Sequence, residues 1–158
     1  MTHMLKKILL VEDNPKDLEL TLVALERCQL ANEVVTARDG VEALDWLLRR
    51  GVHSERDNAD PAVVLLDLKL PRMDGLEVLE RIKGDPATRH IPVVMLTASR
   101  EESDLVRSYD LGVNAFVVKP VDFKDFFNAI RDLGMFWAII NEPHPGVPRS
   151  GPMKVTEA

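Results

Sequence analysis

An α/β fold with a doubly wound, five-stranded parallel sheet, strand order 2-1-3-4-5, is the fold class this sequence predicts. Three observations carry the reading. Short apolar runs alternate with helical patterns five times along the chain, the rhythm of strands joined by crossover helices. Two of the runs, VVLL at residues 63–66 and IPVVML at residues 91–96, are nearly unbroken, as in strands covered on both faces. Polar residues close the runs, namely Glu12-Asp13, Asp67, Thr97 and Lys119. Open α/β sheets carry their working residues at the carboxyl ends of their strands.

The elements follow in order. KKILLV at residues 6–11 is rich in β-formers and predicts the first strand. Asn14-Pro15 then reads as a helix cap with proline at the first helical position. Leu18, Leu22, Val23 and Leu25 follow at helical spacing towards an end near Cys28. Residues 33–37 predict a weaker second strand, and Asp39-Gly40 opens a helix carrying Ala43, Leu44, Leu47 and Leu48. The polar stretch GVHSERDNADP, residues 51–61, is a surface loop longer than the usual connection. The third strand covers residues 63–66 and its helix residues 74–83. Asp85-Pro86 turns into the fourth strand, residues 91–96, and residues 103–111 predict a helix closed by Gly112. Residues 115–118 are the fifth strand, and Asp122 caps a last helix running to about Ile140. Residues 5–140 thus form one domain. The tail of residues 141–158, rich in proline and glycine and without periodicity, reads as disordered.

Composition narrows the function classes. The chain of 158 residues is 46% hydrophobic and 29% charged, enough for a real core. A net charge of −6 argues against binding to nucleic acid. No apolar run has the length of a membrane span. MTHMLKK at the N-terminus lacks the apolar stretch of an export signal, so a cytoplasmic location is expected. Cys28 is the only cysteine and excludes an internal disulfide. His3, His53, His90 and His144 are scattered without metal-ligand spacing.

Right-handed crossovers place the strand ends on one edge of the sheet. In the order 2-1-3-4-5 the first and third strands are neighbours, so Glu12, Asp13 and Asp67 converge in one crevice. Three carboxylates at close range repel unless a cation shares the site. Carboxylates with a backbone carbonyl and waters suit Mg²⁺. An aspartate can act as nucleophile towards a phosphoryl group, giving an acyl phosphate. A lysine and a hydroxyl then offset charge at the phosphoryl oxygens. The residue types therefore match phosphoryl transfer to Asp67. Singly, each has a plainer reading: Glu12-Asp13 as a solvated turn, Thr97 as a helix cap, Lys119 as an exposed charge and Phe116 as a core aromatic.

The acidic pair Glu12-Asp13, the segment LLDLKLPRMDG, LTAS with Thr97, and VVKP with Lys119 and Pro120 occur in that order. With them the chain resembles the receiver domains of two-component response regulators, which share the flavodoxin-like fold. The resemblance implies Asp67 as phosphoacceptor. It implies Asp13, Asp67 and the Lys69 carbonyl as Mg²⁺ ligands, with Glu12 reaching the metal through water. Thr97 and Lys119 would contact the phosphoryl group, and Lys69 and Ser99 stand where relatives tune its lifetime. The Lys119–Pro120 bond would be cis, and Phe116 with Thr97 would form the switch. SYDLGVNAFVVKPVD and the terminal FW pair further resemble the stand-alone receivers that partner phytochrome-type histidine kinases.

Such a chain is expected to accept its phosphoryl group from a phytochrome-type sensor histidine kinase and to act by protein contact. The alternative is a carrier or sink in a phosphorelay. It is expected not to be an enzyme beyond promoting its own phosphorylation and dephosphorylation. An Asp-nucleophile phosphatase usually has a second aspartate two residues after the nucleophile, where Lys69 stands here. The acidic, glycine-free turn EDNPKD argues against a nucleotide or flavin site. Beyond an inward stripe, the last helix leaves Met135, Phe136, Ile139 and Ile140 uncovered. A homodimer through the face of the fourth helix, fifth strand and fifth helix is therefore expected, with Tyr109, Phe136, Trp137 and Ile140 at the contact.

Overall fold

Four runs of β-branched and aliphatic residues zip into parallel pairs in register and fix the middle of the molecule. In the computed structural model, residues 6–28, 32–56, 60–132 and 153–158 are described. Strand β1 (Ile8–Val11) pairs with β2 (Val34–Ala37) on one side and with β3 (Val63–Asp67) on the other. β4 (Val93–Thr97) and β5 (Ala115–Val118) continue the sheet beyond β3. The expected order 2-1-3-4-5 is present, and the sheet has a sixth parallel strand, β6 (Val155–Glu157), outside β2.

Alternation along the strands builds two cores. Ile8 and Leu10, Val63 and Leu65, and Val94 and Leu96 face one side, against α1 (Pro15–Arg27) and α5 (Phe123–Asp132). Leu9 and Val11, Val64 and Leu66, and Val93 and Met95 face the other. There they meet α2 (Gly40–Leu47), α3 (Gly75–Gly84) and α4 (Arg100–Ser108). Both faces being covered is why the runs read as apolar without alternation.

The sixth strand corrects the five-strand count and the disordered reading of residues 153–158. The physical reason is the bare edge of β2, whose backbone groups need partners. Val34 N donates to the Lys154 carbonyl at 2.9 Å, and Ala158 N donates to the Thr36 carbonyl at 2.7 Å. Met153 packs on the first core and Ala158 on the second. Lys154 Nζ and Thr156 Oγ1 both hold the Glu33 carboxylate, at 3.3 and 2.9 Å. Residues 141–152 lie outside the described residues.

Helix α4 starts earlier than the periodicity predicts, at Arg100 rather than 103, and ends at Ser108. Ser99 is its cap and accepts from the Glu102 amide, while Glu102 Oε1 reaches back to accept from Ala98 N at 2.9 Å. This reciprocal arrangement is close to a capping box, legible in Ser99-Arg-Glu-Glu102. Among the described residues, the long loop after α2 contains one 3₁₀ turn, Gly51–His53. The expected run of α5 to about Ile140 lies outside the described residues, as do Phe136, Trp137 and Ile140.

Candidate functional site

The carboxyl ends of β1, β3, β4 and β5 form the candidate site. β1 runs directly into Glu12, whose amide is bonded to the Ala37 carbonyl at 2.9 Å, so the chain is still held at sheet level when the acid appears. Asn14 caps α1 by accepting from Lys16 N and Asp17 N, with Pro15 opening the helix. That sharp entry leaves Glu12 buried and Asp13 exposed. Asp67 is the last residue of β3 and only 4% exposed. Gly75 allows α3 to start directly above it, since a Cβ there would collide with the Asp67 carbonyl.

Carboxylate oxygens of Glu12, Asp13 and Asp67 come within 4.8 Å of one another. Lys119 Nζ joins them, 3.2 Å from Glu12 Oε1, 3.2 Å from Asp67 Oδ2 and 3.0 Å from Asp17 Oδ2. Asp17, on the first turn of α1, is the member sequence reading missed. Its signal was its place three residues after the Asn14 cap, one turn from the acidic pair. The Lys119 amide donates to the Thr97 carbonyl at 2.7 Å, and the Lys119–Pro120 bond is cis.

The electrostatics are those of too much negative charge in too little water. Burial, then a hydrogen bond that the protonated Glu12 donates to Asp67, then the Asp67 charge, push the Glu12 carboxyl up to about 8, against the pull of Lys119. Burial acts to lower the Lys119 ammonium, but the hydrogen bond to Asp17 and the charges of Asp67 and Glu12 outweigh it and hold it above its ordinary range. One lysine does not neutralise the cluster. A hard divalent cation with oxygen preference fits this donor set, because each carboxylate would then gain a counter-charge.

Thr97 is fully buried at the end of β4, and its hydroxyl shares a 2.7 Å hydrogen bond with Ser103 on α4. It is thus brought to the site's edge but held by α4. Lys69 N stands 3.4 Å from Asp67 Oδ1, while its side chain crosses to Glu102 on α4 at 3.2 Å. Phe116 on β5 is half-buried against the second core, with the Arg107 guanidinium 4.6 Å from its ring centre. Tyr109, at the C-terminal end of α4, is 53% exposed.

The profile of the response regulator receiver domain matches residues 8–131. The chain belongs to the response regulator receiver family. This receiver is 39% identical over 132 residues to the response regulator Rcp1 of Synechocystis sp., covering 84% of this chain and 88% of Rcp1. Among solved structures, the bacteriophytochrome response regulator AtBRR superposes with a TM-score of 0.83 at 71% identity, covering 89% of this receiver and all of that chain. The bacteriophytochrome response regulator RtBRR superposes at 0.84 with 64% identity, covering 90% of this receiver and 86% of that chain. A structure of Rcp1 in its Mn²⁺-bound form gives 0.68 at 36% identity, covering 92% and 99%. The kinship to phytochrome response regulators agrees with the motifs at residues 108–122. No helix among the described residues is long and apolar enough to cross a membrane.

Proposed function

We propose that this receiver accepts a phosphoryl group on Asp67 from a phytochrome-type sensor histidine kinase and signals by phosphorylation-dependent protein contacts. One observation carries the reading: a buried carboxylate at the end of β3, with an ammonium 3.2 Å from Oδ2 and two further acids within 4.8 Å. The phytochrome regulators it resembles support the choice of kinase.

In the transfer, an Asp67 carboxylate oxygen attacks the phosphorus of a phosphohistidine. A P–O bond forms, the P–N bond breaks, and its electron pair leaves with the imidazole nitrogen, which takes up a proton. Lys119 stands ready to offset charge on the phosphoryl oxygens. Glu12, Asp13, Asp67 and the Lys69 carbonyl would hold Mg²⁺, which when bound supplies the further positive charge the transfer needs. Thr97 exchanges its Ser103 partner for the phosphoryl group. Phe116 then moves inward, away from Arg107, and the face of α4, β5 and α5 changes. No separate substrate is turned over, and neither nucleic acid nor membrane is a partner in this reading. The location that suits it is the cytoplasm. Leu105 and Tyr109, both exposed on α4, favour a homodimer through the same face.

Incubation with Mg²⁺ and acetyl phosphate, followed by intact mass, tests the acceptor. One stable phosphoryl addition that maps to Asp67 is expected; turnover of a phosphate ester without addition would favour the phosphatase instead. Transfer from a purified phytochrome-type kinase, compared with an unrelated kinase, tests the partner. NMR around Phe116 before and after phosphorylation tests the switch, and light scattering over a dilution series tests the dimer.

A further inference from the structure

The first turn of α4 carries an acid that neither metal binding nor phosphoryl contact uses. Glu102 has one oxygen on the Ala98 amide at 2.9 Å and the other on Lys69 Nζ at 3.2 Å. The Ala98 bond, first, holds its carboxyl below the usual range against the opposing effect of burial, with the hydrogen bond and charge of Lys69 adding to the lowering. It is therefore an anion over the working pH range. Lys69 is the other half of the arrangement. Its backbone lies two residues past Asp67, with its amide 3.4 Å from Asp67 Oδ1. Its side chain nevertheless turns away from the acceptor and spans from the β3–α3 loop to α4. In the same turn Ser103 holds the Thr97 hydroxyl at 2.7 Å and also bonds the Ser99 carbonyl at 3.3 Å.

We propose that Glu102 is a positioning residue: it competes with the phosphoryl group for Lys69 and thereby ties the first turn of α4 to the unphosphorylated state of Asp67. The charge argument is direct. Phosphorylation replaces the single charge of the Asp67 carboxylate with an acyl phosphate carrying about two, next to the Lys69 backbone. The ammonium is then drawn towards Asp67, and Glu102 is left with only the Ala98 amide and a like charge nearby. The turn that also holds Thr97 loses its tie to the β3–α3 loop. Thermodynamic linkage makes the effect reciprocal: whatever loosens Glu102 from Lys69 favours phosphorylation, and phosphorylation loosens Glu102 from Lys69. This inference rests on Asp67 being the acceptor.

The experiment compares four full-length proteins, wild type, Glu102→Gln, Lys69→Met and the double variant, with acetyl phosphate and saturating Mg²⁺. Intact mass follows phosphoryl uptake. Glutamine keeps the shape of the side chain and leaves the Ser99 cap, which uses the Glu102 backbone, intact. Uptake by Glu102→Gln is expected to be about threefold faster than by wild type, the size a partly exposed ion pair supports. In the Lys69→Met background the same change is expected to give less than half that gain. The Ala98 amide resonance in Glu102→Gln is expected to move towards its position in phosphorylated wild type. Equal uptake by wild type and Glu102→Gln, or the same gain with Lys69 replaced, overturns the proposal. A purely structural role for Glu102 would lower the melting temperature and leave the uptake rate unchanged. Absence of labelling in wild type would instead count against Asp67 as acceptor.

Discussion

Two lysines stand at opposite ends of the sheet, each withdrawn from solvent, and they are used in opposite ways. Lys119, at the carboxyl ends of the strands, is surrounded by the carboxylates of Glu12, Asp17 and Asp67. Lys83, at the end of α3, donates to the Arg89 carbonyl at 3.2 Å, the Ile91 carbonyl at 2.8 Å and Asn114 Oδ1 at 3.3 Å. Its partners are neutral dipoles. Burial lowers the Lys83 ammonium with nothing charged to oppose it. The Lys119 ammonium is raised in spite of burial, because anions face it. Lys83 therefore works as a bolt between α3 and the entrances to β4 and β5. Lys119 belongs to a site whose stability depends on how much charge is present, which suits the proposed gain of a cation and a phosphoryl group.

The largest effect that would sharpen this contrast is at the proposed acceptor. Asp67→Asn should abolish labelling by acetyl phosphate while circular dichroism stays native, since only the nucleophilic charge is lost. Full labelling of the variant would break the assignment. Next, Asp13→Ala should weaken Mg²⁺ binding at least about tenfold, measured by calorimetry, because the remaining oxygens are too few for the ion. The same variant should be slightly more stable than wild type without Mg²⁺, as like-charge repulsion is relieved.

Lys119→Met should destabilise the metal-free protein by about 3 kcal/mol in urea titration, the range for leaving buried carboxylates without their partner. Added Mg²⁺ should restore part of that loss. Lys83→Met should cost only about 1 kcal/mol, and Mg²⁺ should make no difference to it. If Mg²⁺ rescues both variants equally, the division between charged site and neutral bolt is wrong.

The smallest effect is in pH. Because the folded protein lowers the Lys83 ammonium below its value in the unfolded chain, the unfolded state binds more protons between those two values. Wild-type stability then rises with pH through that window, up to about 10.5. The deficit of Lys83→Met should accordingly grow as pH rises towards that value, as the burial penalty on the charged form is relieved. Lys119 is shifted the other way. Its own contribution is fully present below its unfolded value and is lost only as pH rises above that, while the deficit of Lys119→Met should still grow through the titration of Glu12, whose carboxyl Lys119 pulls down.

Much of the candidate site was legible because its residues sit at the ends of recognisable strands. Once the parallel order is inferred, β1, β3, β4 and β5 must bring Glu12, Asp13, Asp67, Thr97 and Lys119 to one edge. Asp17 was not legible in that way. It lies in a helix and meets Lys119 only because α1 leaves Asn14 at the angle its cap imposes. Glu102 was hidden because periodicity placed the start of α4 too late, at the first buried residue, Ser103. The cap at Ser99 is what sets the start, and capping is a local hydrogen-bond matter to which apolar spacing is blind.

The sequence by itself determined the βα rhythm, the parallel sheet and the edge on which chemistry is possible. Each of these follows from local apolar runs, cap residues and the handedness of crossovers. Tertiary structure alone decided three things. Val155-Thr156-Glu157 became a strand because the edge of β2 offered unpaired backbone, although three residues carry no strand signal of their own. Lys119 was divided among three acids from two separate strands and a helix, an arrangement that no spacing along the chain encodes. The Thr97 hydroxyl was given to Ser103 and not to Asp67, since both positions are buried and a buried hydroxyl must find the nearest partner the packing leaves it.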